Sequence, residues 1–215
     1  MAETQEKQPK NVSRRRLMQW LLGMSAAGTA GAMLSSAGTI QSMQRQSKSE
    51  EPVTAGDRLV FALGPNKGQA IRHDSILIHE AIYVFPENKD SNHDNLIFLV
   101  RLDPKTLQPP TIIEWTAEGF VAYSANCTHL GCTVNFSHEA MEGVPYPHLH
   151  CPCHGGIFDP HRSALVVAGP PPRPLPQLPI KINEQGELIA AGWFKEPPGP
   201  IPESELQQWR QKNKS

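Results

Sequence analysis

The chain has 215 residues, 39% of them hydrophobic, and its 20 basic and 21 acidic side chains leave a formal net charge of -1. That length suits one main domain with appendages, and the near-neutral balance excludes a polybasic nucleic-acid binder, so partners have to be sought in local features. Four cysteines are too few for a disulfide-dense scaffold, yet all four fall between Cys127 and Cys153, a clustering that points to a metal site.

In chain order, residues 1–13 are polar and read as a cytoplasmic tail. Arg14, Arg15 and Arg16 then lead into an uncharged run, Leu17 to Ile40, whose 24 residues can cross a bilayer as a helix rising about 1.5 Å per residue. Lys7, Lys10 and the three arginines precede the run, which keeps the N-terminus in the cytoplasm and places everything after Ile40 outside. The run is rich in Ala, Gly and Ser, and with Ser13-Arg14-Arg15 it resembles a twin-arginine export signal, Leu17 standing where that class usually has phenylalanine. That route carries folded proteins, which suits a metal centre inserted before export. Residues 14–40 are therefore expected to be a single-pass membrane anchor. The alternative is a cleaved signal peptide, with the small residues Ser35 to Gly38 offered to the peptidase.

Gln41 to Gly56 is polar, carries both signs of charge and reads as a flexible tether that extends to roughly 50 Å. Beyond it come short apolar runs separated by turn residues: 58–63, 75–78, 95–102, 111–115, 119–124, 164–168, 178–182 and 187–191. Runs of this length and spacing predict an all-β sandwich or barrel-like domain, with residues 183–188, around Gly186, as a hairpin connection. The prolines, 21 in all, crowd towards the C-terminal third, which excludes long helices there and favours loop-rich β structure. Residues 198–215 permit a short helix from about Pro202, but their polarity predicts a solvated tail.

The cysteines lie in two boxes, Cys127-Thr128-His129-Leu130-Gly131-Cys132 and, 19 residues after Cys132, Cys151-Pro152-Cys153-His154-Gly155-Gly156. Each box supplies a cysteine and a nearby histidine, which a short loop can bring to a metal from two directions, and the glycines allow close backbone approach. Three readings fit. A structural zinc site takes four of these ligands in a tetrahedron and leaves the other thiols idle. Two disulfides use every cysteine but give the histidines no task. In the third, two thiolates and two imidazoles hold the irons of a [2Fe-2S] cluster while the remaining cysteines bond to each other.

Both boxes resemble those of the Rieske iron-sulfur proteins, in the disulfide-containing form found in cytochrome bc-type quinol oxidases. The resemblance spans residues 57–197 and includes the anchor and tether before them. It implies an all-β, Rieske-type antiparallel β sandwich with a cluster-binding subdomain, preceded by one N-terminal transmembrane helix, and one [2Fe-2S] cluster per chain. By position it makes Cys127 and Cys151 ligands of the inner iron and His129 and His154 ligands of the outer, exposed one. Cys132 and Cys153 would form a disulfide clamping the two loops, a bond that persists in an oxidising compartment and so agrees with the outward topology. His73, His79, His93, His138 and His161 are read as surface or packing residues, as are His148 and His150, the two with a secondary role to check. The Gly-Pro-rich stretch Gly169 to Pro179 would cover the cluster, its stiffness holding water and side chains at fixed distances.

The implied function is quinol oxidation. His154 would contact the quinol held by a cytochrome b partner, His129 would tune the coupled proton transfer, and the electron would pass to a c-type cytochrome. The domain would sit on the periplasmic side of the cell membrane, with no nucleic acid among its partners. Many relatives have a serine and a tyrosine at the positions of Gly156 and Phe158. Without those hydroxyls, the negative charge of the reduced cluster loses two hydrogen-bond donors, which implies a lower potential and a low-potential quinol such as menaquinol. The competing assignment is the Rieske small subunit of a periplasmic oxidoreductase such as arsenite oxidase. Rieske ferredoxins and ring dioxygenases lack the second cysteine pair, and a zinc-stabilised module would be colourless.

Overall fold

A computed structural model of the chain describes residues 49–140 and 147–213. The chain divides into two units, Met1–Gln46 and Ser47–Ser215, and every described residue belongs to the second. The predicted cytoplasmic tail, the anchor over 14–40 and the first half of the tether lie outside the described residues. Among those described, no helix is long and apolar enough to cross a membrane.

The described part is all-β with antiparallel pairing and one short helix. Strands β1 (Leu59–Phe61), β2 (Ala81–Pro86), β3 (Ile97–Arg101) and β4 (Phe120–Ser124) pair in that order. Strands β5 (Asn135–Ser137), β6 (His148–Cys151), β7 (Gly156–Asp159) and β8 (Leu165–Ala168) form a second sheet. Strand β9 (Gln177–Leu178) returns to the first sheet beside β4, and β10 (Ile180–Ile182) with β11 (Leu188–Ala190) makes the predicted hairpin around Gly186. The sheet that carries the cysteine boxes is thus an insertion between two strands of the larger one.

Side chains alternate across β3 and β4, and both faces are buried. Ile97, Leu99, Phe120 and Ala122 join one core with Leu59, Val84, Leu178 and Leu188. Phe98, Val100, Val121 and Tyr123 join the other with Leu149, Phe158, Cys127 and Cys151. A central sheet covered on both faces explains why the sequence there is continuously apolar rather than alternating.

Two predicted runs are not strands. In 75–78 only Ile76 is buried. The Arg101 guanidinium donates to the carbonyls of His73 and Ile76 at 2.9 and 2.8 Å, which satisfies this backbone without a ladder. In 111–115 the chain makes a 3-10 turn, Ile113–Trp115, and the buried Gln177 amide takes both the N–H and the C=O of Ile112. Strands β2, β5, β6 and β7 are not among the predicted runs; in β6 histidines and a cysteine leave Leu149 alone, and in β7 only Ile157 and Phe158 stand between Gly156 and Asp159.

The described part of the segment expected to be a flexible tether is folded. Val53 is fully buried, and its N–H donates to Asn95 Oδ1 at 2.9 Å. Asn95 Nδ2 reaches the Glu51 carbonyl at 2.7 Å, and Lys89, only 3% exposed, donates to the Pro52 carbonyl, Thr54 Oγ1 and Asp57 Oδ2. These buried donors make 51–57 part of the folded domain. At the other end the predicted solvated tail is a docked helix, α1 (Glu203–Lys212), with acidic residues in its first turn and basic ones in its last, matching the helix dipole. Leu206 is 2% exposed, the Trp209 ring lies 5.8 Å from that of Trp193, and Arg210 pairs with Glu196 at 2.8 Å.

Candidate metal centre

The first box is a tight loop between β4 and β5. The Cys127 N–H donates to the Cys132 carbonyl at 2.8 Å and the Gly131 N–H to the Cys127 carbonyl at 2.9 Å, with Gly131 at φ +81°, a conformation that suits a residue without a Cβ. The second box turns the corner between β6 and β7. Cys151 pairs with Gly156 across the ladder, and the Gly155 N–H donates back to the Cys151 carbonyl at 3.1 Å. Each loop therefore presents its cysteine inward at the root and its histidine at the tip.

The four cysteines divide as the resemblance implies. Cys132 and Cys153 are joined by a disulfide that ties the two loops together. Cys127 and Cys151 are free thiols, each 1% exposed. Burial pushes the Cys127 thiol up to about 11, and the neighbouring Cys151 thiol adds to the shift. Such a thiol resists ionising alone, whereas a metal that replaces its proton supplies the charge a buried thiolate needs. The sulfurs of Cys132, Cys151 and Cys153 lie within 4.8 Å of one another, but two of them are bonded together, so that trio is not a ligand set.

The two histidines complete the constellation. The rings of His129 and His154 stand edge to face with centroids 4.8 Å apart. His154 is exposed and His129 half-buried, and His129 Nδ1 is buried with no hydrogen-bond partner. An orphaned imidazole nitrogen two residues from the buried Cys127 thiol fits a loop that binds metal through both atom types, so the residues present suit a [2Fe-2S] cluster with mixed ligation.

The proline-rich stretch covers both loops. The Thr128 hydroxyl, between Cys127 and His129, donates to the Arg173 carbonyl at 2.7 Å. On the other side a Cβ built on Gly156 would stand 2.6 Å from Pro171 Cγ, and one on Gly169 would stand 2.6 Å from the Gly155 carbonyl oxygen. The close approach of 155–156 to 169–171 therefore requires glycine on both sides. Phe158, the other position proposed for tuning, is fully buried in the core beside Cys127 and Cys151.

Of the remaining histidines, His73 pairs with Glu118 at 3.0 Å, His161 Nδ1 lies 2.8 Å from Thr106 Oγ1, and His138 packs on the Phe136 ring. His148 and His150 lie on β6, facing Ser137 and Asn135 across the ladder. None of these enters the thiol-imidazole cluster. Sequence reasoning missed Arg173, whose only signal is a lone charge among prolines.

The Rieske [2Fe-2S] domain profile matches residues 98–179. The chain is 32% identical over 143 residues to the cytochrome bc1 complex Rieske iron-sulfur subunit of Streptomyces lividans, covering 63% of this chain and 81% of that one. It is 39% identical over 133 residues to a putative respiratory nitrate reductase subunit Rieske of Haloferax mediterranei, covering 62% of this chain and 57% of that one. Among solved structures, the soluble domain of Rieske protein II (soxF) from Sulfolobus acidocaldarius aligns over 76% of this chain and 83% of that one, at 20% identity and a TM-score of 0.34. The sequence match runs through both ligand loops and the strands that carry them, and on that ground the chain belongs to the Rieske [2Fe-2S] family and binds one such cluster for electron transfer.

Proposed function

We propose that Cys127 and Cys151 hold one iron, His129 and His154 the other, and that the chain is the Rieske subunit of a membrane quinol:cytochrome c reductase. The observation that carries this reading is the pairing of two imidazoles at the loop tips, 4.8 Å apart and on the exposed side of two buried thiols. When bound, the cluster supplies a one-electron acceptor whose potential lies above that of an all-cysteine cluster, because neutral imidazole donates less negative charge than thiolate.

The chain's own residues supply the rest. The exposed ring of His154 accepts a hydrogen bond from a quinol hydroxyl presented by a cytochrome b partner and takes its proton as the electron leaves. Leu130, 62% exposed between His129 and Gly131, gives that contact an apolar edge. The missing hydroxyls at Gly156 and Phe158 favour a low-potential quinol, menaquinol rather than ubiquinol. The anchor over 14–40 places the domain outside the cell membrane, where the Cys132–Cys153 bond is kept oxidised and a c-type cytochrome takes the electron.

A second reading is favoured by the Haloferax relative, which is named for a different respiratory enzyme. The chain would then be the small subunit of a periplasmic oxidoreductase of the arsenite oxidase kind. Purification from detergent-solubilised membranes separates the two. Co-elution of a b-type haem protein and quinol-dependent cytochrome c reduction support the first, and a molybdenum-containing partner without b haem overturns it. Electron paramagnetic resonance of Cys127→Ser and His154→Ala tests the ligands, since each is expected to abolish the reduced-cluster signal.

A further inference from the structure

Arg173 lies in the proline-rich stretch with 7% of its surface exposed, and it faces two ways. Its carbonyl takes the Thr128 hydroxyl, between two residues of the first ligand loop. Its guanidinium points into the C-terminal segment: Nη2 donates to the carbonyls of Pro197 and Gly199, both at 2.7 Å, and Nη1 lies 3.4 Å from Glu196. Glu196 also holds Arg210 of α1. The same segment lies along the first ligand loop, because a Cβ on Gly131 would stand 3.4 Å from Pro200 Cδ and one on Gly199 would stand 3.7 Å from Asn126 Cβ.

A buried guanidinium is tolerated only where its donors are filled, and here two of the fillers are main-chain carbonyls of a segment without strand partners of its own. The planar fork matters, since a single ammonium carries the charge but cannot present the same array of donors.

We propose that Arg173 is a positioning residue for electron transfer: it pins residues 196–200 against the first ligand loop and, through Thr128, fixes where His129 stands. The C-terminal segment and α1 are thereby part of the metal centre's frame. This rests on the reading that Cys127 and His129 are ligands.

The test uses the full chain with its cluster, in solubilised membranes, comparing Arg173→Gln and Arg173→Lys with Arg58→Gln. The last variant breaks the pairs to Glu87, just after β2, and Glu187, just before β11, apart from the ligand loops. Arg173→Gln is expected to shift the reduced-cluster resonance lines and the midpoint potential, and to speed loss of visible cluster absorbance roughly tenfold or more. Arg173→Lys is expected to recover part of each change, and Arg58→Gln to alter none. Unchanged resonance, potential and loss rate in Arg173→Gln, even with a lowered melting temperature, overturns the proposal. Should that variant not accumulate, Glu196→Gln, which removes the anion beside Nη1, carries the same expectation and the same overturning result. A Cys127→Ser chain that keeps the wild-type signal refutes the ligand reading instead, whatever Arg173 does.

Discussion

The tuning role proposed for Gly156 and Phe158 is testable one residue at a time. Phe158 is fully buried beside both free thiols, so a hydroxyl added to its ring enters a region of low dielectric, where a donor to a charged acceptor contributes about 1.5 kcal/mol or more. For one electron that is roughly 60 mV. A redox titration of Phe158→Tyr is accordingly expected to show an upward shift of that order, and no shift would count against the tuning account. Gly156→Ser is less direct, because the new Cβ would overlap Pro171 Cγ. Its potential should rise cleanly only when combined with Pro171→Ala, which removes the overlapping ring atoms; the two titrations side by side decide this. The cysteines and histidines proposed as ligands stand out in the sequence because each short loop carries one of each type. Arg173 does not, since its partners are carbonyls of residues more than twenty positions away, and any residue type supplies a carbonyl.

Strands were legible where the sheet buries both faces, as in β3 and β4, and obscure where the apolar run is broken by histidine and cysteine, as in β6, or shortened to two residues, as in β7. The run at 75–78 failed because hydrophobicity reports burial, and only Ile76 is buried there; Leu77 and Ile78 stand 67% and 51% exposed. Two outcomes follow for the loops and straps that these strands support. The Cys132–Cys153 bond closes a separation of 21 residues, for which the chain-entropy estimate is roughly 3 kcal/mol. The Cys132→Ser, Cys153→Ser double variant should lose about that much in urea unfolding and release its cluster faster, and wild-type stability would refute a clamping role. Lys89 makes the second case. Its ammonium satisfies the Pro52 carbonyl, Thr54 and Asp57 at once, so Lys89→Met leaves a part-buried carboxylate without its cation. A loss of roughly 2–3 kcal/mol is expected, with faster amide exchange confined first to residues 51–57. Uniform acceleration across the domain would show that these residues are not a separately held strap.

Under the proposed function, that strap bears on how far the whole domain can travel. Residues 51–57 run directly into β1, the first strand of the larger sheet, so a pull on the strap acts on the folded domain rather than on a loose end. On the proposed function, the expected tether over 41–56 gives its second half to the folded domain, which shortens the roughly 50 Å reach inferred from sequence alone. If the proposed quinol site and cytochrome stand farther apart than an electron can tunnel, the domain would have to move within that shorter radius. Replacing 41–48 with a proline run should therefore slow quinol-dependent cytochrome c reduction while leaving the reduced-cluster resonance intact, because the change lies outside both ligand loops. The companion substitution is informative for the opposite reason. Loosening the strap with Lys89→Met lengthens the reach without touching 41–48, so in the proline-run background it should restore part of the lost turnover. Equal turnover in the wild-type and proline-run chains would mean that electron delivery does not depend on this segment at all, and failure of Lys89→Met to restore any activity would place the pivot elsewhere.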